Sequence, residues 1–186
     1  MNIHLHREER TMSLDLTKYI ASIPDFPTEG IMFRDVTPIV NHPEAFKEVT
    51  RKLCDYAKSV NAELVAGPES RGFLFGCPVA VEENLGFIPV RKPGKLPREV
   101  VSETYTLEYG TNELCMHKDS ITPGQRVVVI DDLLATGGSA LATCHLIEKL
   151  GGVVAGVACV IELEGLPGRE TLKDYDVYSI LTMTDH

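Results

Sequence analysis

The sequence predicts an α/β fold: a doubly wound, mostly parallel sheet flanked by helices, with a small N-terminal flap. Three observations predict it. Short apolar runs rich in β-branched residues recur along the chain: ELVAG (63–67), FIPV (87–90), RVVVID (126–131), VVAGVACVIEL (153–163) and DVYSILTM (176–183). Segments with helical apolar spacing lie between them. The strand-like runs are apolar on both faces rather than alternating, as in a sheet covered by helices on both sides. A length of 186 residues suits one domain with a proper core.

Residues 1–12 read as a disordered leader, charged and without the apolar stretch of a signal peptide. Its His4 and His6 have no partner cluster nearby that would complete a metal site. Residues 13–186 read as one domain, of which 13–42 include the flap. Ser13 can cap a short helix with Leu16, Ile20 and Ile23 on one face, broken by Pro24 and Pro27. GIMFRDVTPIV (30–40) is mixed and loop-like. From Pro43 an amphipathic helix runs with Phe46, Val49, Leu53, Ala57 and Val60 as its apolar stripe. A strand at 63–67, the turn GPESRG and a helix through Phe75 to Asn84 follow, then the strand 87–90. RVVVID is the cleanest buried strand. The helix after it stops at Gly151 and Gly152, where glycine caps are expected.

Composition excludes several classes. A formal charge of −9 argues against a nucleic-acid binder, whose phosphate contacts need a broad basic surface. No apolar run approaches the ~20 residues of a membrane span. The five cysteines show no CxxC spacing, so neither a zinc site nor a redox dithiol is indicated. A reduced, cytoplasmic setting fits them.

The strongest chemical signal is VVVIDDLLATGGSA (127–140): a buried strand, two adjacent carboxylates, a small-residue loop, then a helix. In a doubly wound sheet the ligand crevice lies at the carboxyl ends of the strands. Ala135, Thr136, Gly137, Gly138 and Ser139 leave backbone N–H groups uncovered at a helix N-terminus, an anion site by geometry and dipole. Asp131 and Asp132 would repel that anion. They suit vicinal sugar hydroxyls, or water around a magnesium ion, instead. Phosphate at the loop and ribose at the acids together describe a ribose 5-phosphate. The lysine of GxxxxGK[ST] is missing, and no GxGxxG follows a strand.

A second anion site is suggested at GPESRG (67–72), where Glu69, Ser70 and Arg71 sit between glycines. RKPGKLPR places Arg91, Lys92, Lys95 and Arg98 within eight residues and without an acid, a local reversal of the chain's sign. Beside two phosphate loops, such a run suits a leaving pyrophosphate. Residues 96–113 have the polar, Thr-rich composition of a mobile lid loop, with Gly110 as a hinge. A lid would keep water from an activated ribose.

VVVIDDLLATGGS resembles the phosphoribosyl pyrophosphate signature of the type I phosphoribosyltransferases. GPESRGFLFG, RKPGKLP, LEYG and FPTEGIMFRDVTP resemble segments of the adenine-specific members, and the likeness spans roughly residues 20–181. The resemblance implies transfer of the 5-phosphoribosyl group from 5-phosphoribosyl 1-pyrophosphate to adenine, giving AMP and pyrophosphate. It implies Glu108 and Tyr109 as the catalytic pair, with Glu108 serving the proton at N7. It places Asp131, Asp132, Ala135, Thr136, Gly137, Gly138 and Ser139 on the ribose phosphate, and Glu69, Ser70, Arg71, Arg91, Lys92 and Lys95 on pyrophosphate. It implies a cis peptide at Glu69–Ser70 and a homodimer in which Arg91 acts across the interface. Met32, Phe33 and the backbone of Arg34 would surround adenine, with Ile161 and Leu163 on its other side; Met32 departs from the family's frequent Val. Magnesium is expected as cofactor, held by substrate oxygens and water rather than directly by protein, with Asp131 and Asp132 one shell away. Neither nucleic acid nor membrane is expected as a partner.

Three rival readings stay open: a phosphoribosyltransferase for another base, a binding module that uses the fold as scaffold, and a catalytically silent ligand-sensing regulator. The last would need a DNA-reading domain, for which a dozen leading residues have no room.

Overall fold

The computed structural model describes residues 14–107 and 110–184. Its centre is a five-stranded sheet of β3 (Leu64–Pro68), β4 (Gly86–Val90), β7 (Arg126–Leu134), β8 (Val153–Glu164) and β9 (Val177–Thr184), in the order β4-β3-β7-β8-β9. Every pairing in it is parallel. Two small antiparallel pairs flank it: β1 (Ala21–Ile23) with β2 (Phe33–Asp35), and β5 (Val100–Leu107) with β6 (Gly110–His117). Helices α1 (Thr37–Asn41), α2 (Pro43–Ser59), α3 (Arg71–Glu82), α4 (Gly138–Lys149) and α5 (Gly168–Thr171) complete the chain.

Two apolar clusters carry the stability, one on each face of the sheet. On one face Val49, Leu53 and Ala57 of α2 and Phe75 and Val79 of α3 pack against Val65, Val128 and Val160. On the other, Cys144, Leu146 and Ile147 of α4 meet Val127, Val129 and Val157. Strands covered on both faces can be apolar throughout, which is why RVVVID reads as it does. Each fully buried side chain of this size contributes about 2 kcal/mol against the entropy of ordering it. The predicted stripe of α2 holds, with Phe46 and Val60 half-buried at its edges and Phe46 meeting Phe75 edge-on at 6.1 Å. Pro43 opens this helix and His42 Nδ1 accepts the Ala45 N–H. At the end of α4 the Gly151 N–H donates to Glu148 and the Gly152 N–H to Ile147, a glycine-closed terminus as expected.

Local structure departs from expectation in five places. Where a short helix is expected, Asp15 caps a 3₁₀ turn over Leu16–Tyr19; Ser13 lies outside the described residues. Ile23 then sits in β1, where pairing with Phe33 leaves it 42% exposed. The stretch 30–40 is β2 and α1 rather than loop, because β2 gains β1 as a partner that its own pattern did not announce. Helix α3 begins at Arg71, directly after the turn. Strand β7 runs on to Leu134, so the acid pair lies within it and not at its end.

The stretch read as a lid loop is an antiparallel hairpin, β5–β6, from Val100 onward. Its outer strand is fastened to α4: Lys149 Nζ donates to the Ser102 carbonyl at 2.7 Å and also pairs with Glu103, whose Oε1 lies 2.9 Å from His145 Nδ1. Those partners hold the Glu103 carboxyl below its usual range, Lys149 foremost. Exposed pairs of this kind add little stability, so they fix the hairpin's position more than they stabilise the fold.

Candidate active site

The chain runs from β3 outward to β4 on one side, and from β7 through β8 to β9 on the other. The direction of winding therefore reverses between β3 and β7, where a doubly wound sheet opens its crevice. GPESRG leaves the end of β3 and DDLLATGGS continues from β7, so the two anion segments are brought side by side. They line a cleft of about 320 Å³ with Glu69, Arg71, Lys92, Asp131, Asp132 and residues 135–139 on its walls.

The loop 135–137 is followed by α4, with Gly137 at its N-cap in the left-handed region at φ +83°. No side chain caps this terminus, so its first N–H groups are free for an anion. Across the cleft, the peptide between Glu69 and Ser70 is cis, and the first turn of α3 abuts β7 at Gly72. A Cβ there would stand 3.0 Å from the Ile130 carbonyl and 3.2 Å from Asp131 Oδ1.

The two acids differ. Burial, and then the charge of Asp132 beside it, push the Asp131 carboxyl well above the usual carboxylate range. Its Oδ1 accepts the Asp132 backbone N–H at 2.8 Å. Asp132 is only 3% exposed, and Arg71 Nε lies 2.9 Å from its Oδ2. That N–H is not aimed at the oxygen, which accepts no hydrogen bond among the described residues. A buried carboxylate oxygen without an aligned donor is costly unless a ligand supplies one. Vicinal hydroxyls would do so. Among the described residues no three His, Cys, Asp or Glu side chains converge to hold a metal. The open Asp132 Oδ2 fits the water of an ion that brings its own substrate oxygens.

The basic run divides. Arg91 is bound within its own chain: its Nε donates to Glu69 Oε2 at 2.8 Å, and Nη1 to the Lys95 carbonyl at 3.3 Å. Lys92 lines the cleft, whereas Lys95 is exposed on the neighbouring turn and Arg98 pairs with Asp119. Phe33 is joined to the cleft by Arg71, whose guanidinium carbon lies 5.2 Å from the ring centre, and Phe26 meets Phe33 edge-on at 5.0 Å. Met32 precedes it, half-buried. Arg34 is buried, donating to Ser22 Oγ and, at 2.7 Å, to the Thr184 carbonyl. Ile161 is fully buried in the core and Leu163 is 7% exposed. In this conformation Ile161 offers a base no surface, because β8 is flanked by β7 and β9 and its apolar residues serve packing. Glu108 and Tyr109 lie outside the described residues.

Sequence reasoning missed Tyr105, Asn112 and Leu114, which line the cleft from the hairpin. Tyr105 and Asn112 are direct cross-strand partners. The period-two alternation of 100–107 was the available signal, hidden by a composition that reads as loop.

A phosphoribosyl transferase domain matches residues 35–186. The adenine phosphoribosyltransferase of Lactobacillus acidophilus is 57% identical over 170 residues, covering 91% of this chain and 97% of that one. The crystal structure of the adenine phosphoribosyltransferase from Thermoanaerobacter pseudethanolicus superposes with a TM-score of 0.88 at 47% identity, covering 90% of this chain and 98% of its own. That of the Saccharomyces cerevisiae enzyme, in complex with an imino-altritol bisphosphate and adenine, superposes at 0.85 with 38% identity, covering 89% and 96%. Matched over nearly the whole chain, the protein belongs to the phosphoribosyltransferase family, among the adenine phosphoribosyltransferases.

Proposed function

We propose that this chain transfers the 5-phosphoribosyl group from 5-phosphoribosyl 1-pyrophosphate to adenine, releasing pyrophosphate and forming AMP in purine salvage. One observation carries the reading: two anion loops meet at the switch point of the sheet with a buried, underused acid pair between them. Residues 135–139 bind the 5-phosphate through backbone N–H groups and the helix dipole. Asp131 and Asp132 accept hydrogen bonds from the ribose hydroxyls. Glu69, Arg71 and Lys92 line the pyrophosphate end, with Ser70 between the first two in sequence. Arg91 orients Glu69 there, and Lys95 adds positive field from the rim.

The base enters beneath the flap. Adenine has no charge to grip, so Met32 and Phe33 supply apolar contact and the Arg34 main chain pairs with N1 and the 6-amino group. A 6-keto purine reverses that donor–acceptor pattern and leaves buried groups unpaired. N9 then attacks C1′ as the pyrophosphate oxygen departs, and positive charge develops on the ribose. Glu108 accepts the proton at N7 of the imidazole ring, and Tyr109 closes over the ribose. Asp131 and Asp132 would hold, through water, a magnesium ion carried by the pyrophosphate, which would neutralise charge on the leaving group. Loss of activity in excess chelator checks that requirement.

The outer face of α3 leaves Leu74, Cys77 and Val81 exposed at helical spacing, a stripe that favours a homodimer. Among the described residues no helix is long and apolar enough to cross a membrane, and with the thiol content this favours the cytoplasm. Pyrophosphate release measured with adenine and with hypoxanthine at equal concentration tests the assignment. Release with adenine alone is expected; faster release with hypoxanthine would move the chain to another base.

A further inference from the structure

The back of the phosphate loop is covered by the short helix α5, which contributes nothing to the cleft itself. The Thr171 hydroxyl donates to the Thr136 carbonyl at 2.8 Å. Gly168 lies so close behind the loop that a Cβ on it would stand 2.5 Å from the Ala135 carbonyl oxygen. A Cβ on Gly137 would likewise meet the Gly168 carbonyl and Thr171 at 3.1 Å. Loop and helix thus touch at three successive residues, 135, 136 and 137.

Helix α5 is itself clamped to the sheet. Arg169 holds Glu162 of β8 through two hydrogen bonds, Nε to Oε1 at 2.7 Å and Nη2 to Oε2 at 2.6 Å. The same guanidinium donates to the Val177 carbonyl at 2.9 Å and to Ser179 Oγ at 3.0 Å on β9. The Ser179 hydroxyl closes the set on Glu162 Oε2 at 2.7 Å. Just beyond α5, Leu172 is fully buried in the core. A four-residue helix has no stability of its own, so this clamp and this anchor determine where it sits.

We infer that Thr171 is a positioning residue for phosphoribosyl transfer, holding the 5-phosphate loop through the Thr136 carbonyl, with Arg169 and Gly168 fixing the platform behind it. The inference rests on the loop's proposed role as the 5-phosphate site. The carbonyl of Thr136 and the N–H of Gly137 belong to one peptide unit. A donor on that carbonyl polarises the unit and makes its N–H a stronger donor toward an anion. It also fixes the rotation of that peptide, which sets where the N–H points. A phosphate on the cleft side and a hydroxyl on the rear side therefore act on the same group. Adenine, which binds elsewhere, gains nothing from it.

The test compares Thr171→Val, which keeps the shape and loses the hydroxyl, with Thr171→Ser, which keeps the hydroxyl. Titration with ribose 5-phosphate and steady-state kinetics with both substrates are the readouts, and thermal unfolding reports the fold. Thr171→Val is expected to weaken ribose 5-phosphate binding about fivefold and to raise KM for the phosphoribosyl donor by the same factor. The KM for adenine stays within twofold, and Thr171→Ser recovers most of the loss. Gly168→Ala, which displaces Ala135 by bulk, is expected to produce the same ligand-selective loss. Wild-type affinity in Thr171→Val, an equal rise in the adenine KM, or no recovery in Thr171→Ser would overturn the inference while leaving the site assignment intact. Failure of the unmodified protein to bind ribose 5-phosphate would overturn both.

Discussion

The two halves of the proposed site are built differently. The half proposed for the ribose phosphate is made of consecutive residues, 131–139, on one central strand and the helix it feeds. The half proposed for the base depends on contacts between distant segments: Phe33 on Arg71 and Phe26, and Arg34 on Ser22 and on Thr184, 150 positions away. The first half inherits its geometry from the sheet, where strand pairing fixes backbone positions. The second half is assembled from a two-stranded flap that is marginal by itself and needs its side-chain clamp. Substitutions in the first half are therefore expected to act on the phosphoribosyl donor, and those in the second on the base.

The largest expected effect lies outside both halves, at the chemical step. Glu108→Gln is expected to slow single-turnover formation of AMP at least ~10²-fold while adenine affinity changes little. Single-turnover measurement is required, because product release can hide the change in the steady state. An unchanged rate would mean that positioning and electrostatics carry the reaction. Asp132→Asn tests the ribose half. With its buried Oδ2 available to a hydroxyl, loss of the charge is expected to weaken donor binding about tenfold, read as KM and by titration, with adenine KM unchanged. Arg34→Met tests the flap, and about a fivefold rise in adenine KM is expected, with donor KM within twofold. Equal effects of these two substitutions on both substrates would erase the division between the halves.

The smallest effect is on stability. Asp131 has its folded pKa raised by burial and by Asp132, so the protonated form is favoured in the fold. Its stabilising share is complete below the ordinary carboxylate pKa of about 3.9 and is lost as pH rises through the folded value. Asp131→Asn removes that loss. The variant is expected to melt a few degrees higher at neutral pH, about 1 kcal/mol, with the gain vanishing near pH 4, while donor binding weakens. An equal melting temperature at neutral pH would show that the acid pair is not strained.

The same division explains what was legible from residues alone. The sheet strands, α2 and the order strand, acids, glycines, helix were readable, because each is announced by neighbours in sequence. The flap was not: β1 becomes a strand only by meeting β2, and the proline-bounded apolar spacing of 16–23 suggests a helix that tertiary pairing overrides. The hairpin was mistaken for loop because its Thr and Glu residues alternate over a half-exposed face instead of filling a core. Tyr105 and Asn112 consequently went unnoticed as cleft residues. Arg91 meets Glu69 of its own chain, a pairing that spacing alone does not announce.

The hairpin has a consequence for how such a chain can change length. Val100 pairs with His117, and the Lys118 N–H reaches the Glu99 carbonyl at 3.0 Å, so the polypeptide leaves the body and returns to it at one point. A segment whose ends already coincide is a cassette: it can grow or shrink at its tip without moving β4 or β7. The currency of such editing is the cross-strand pair. Removing one residue from each strand near the tip keeps Tyr105 and Asn112 facing the cleft. Removing a single residue below them turns one of the two outward, because neighbouring positions on a strand face opposite sides.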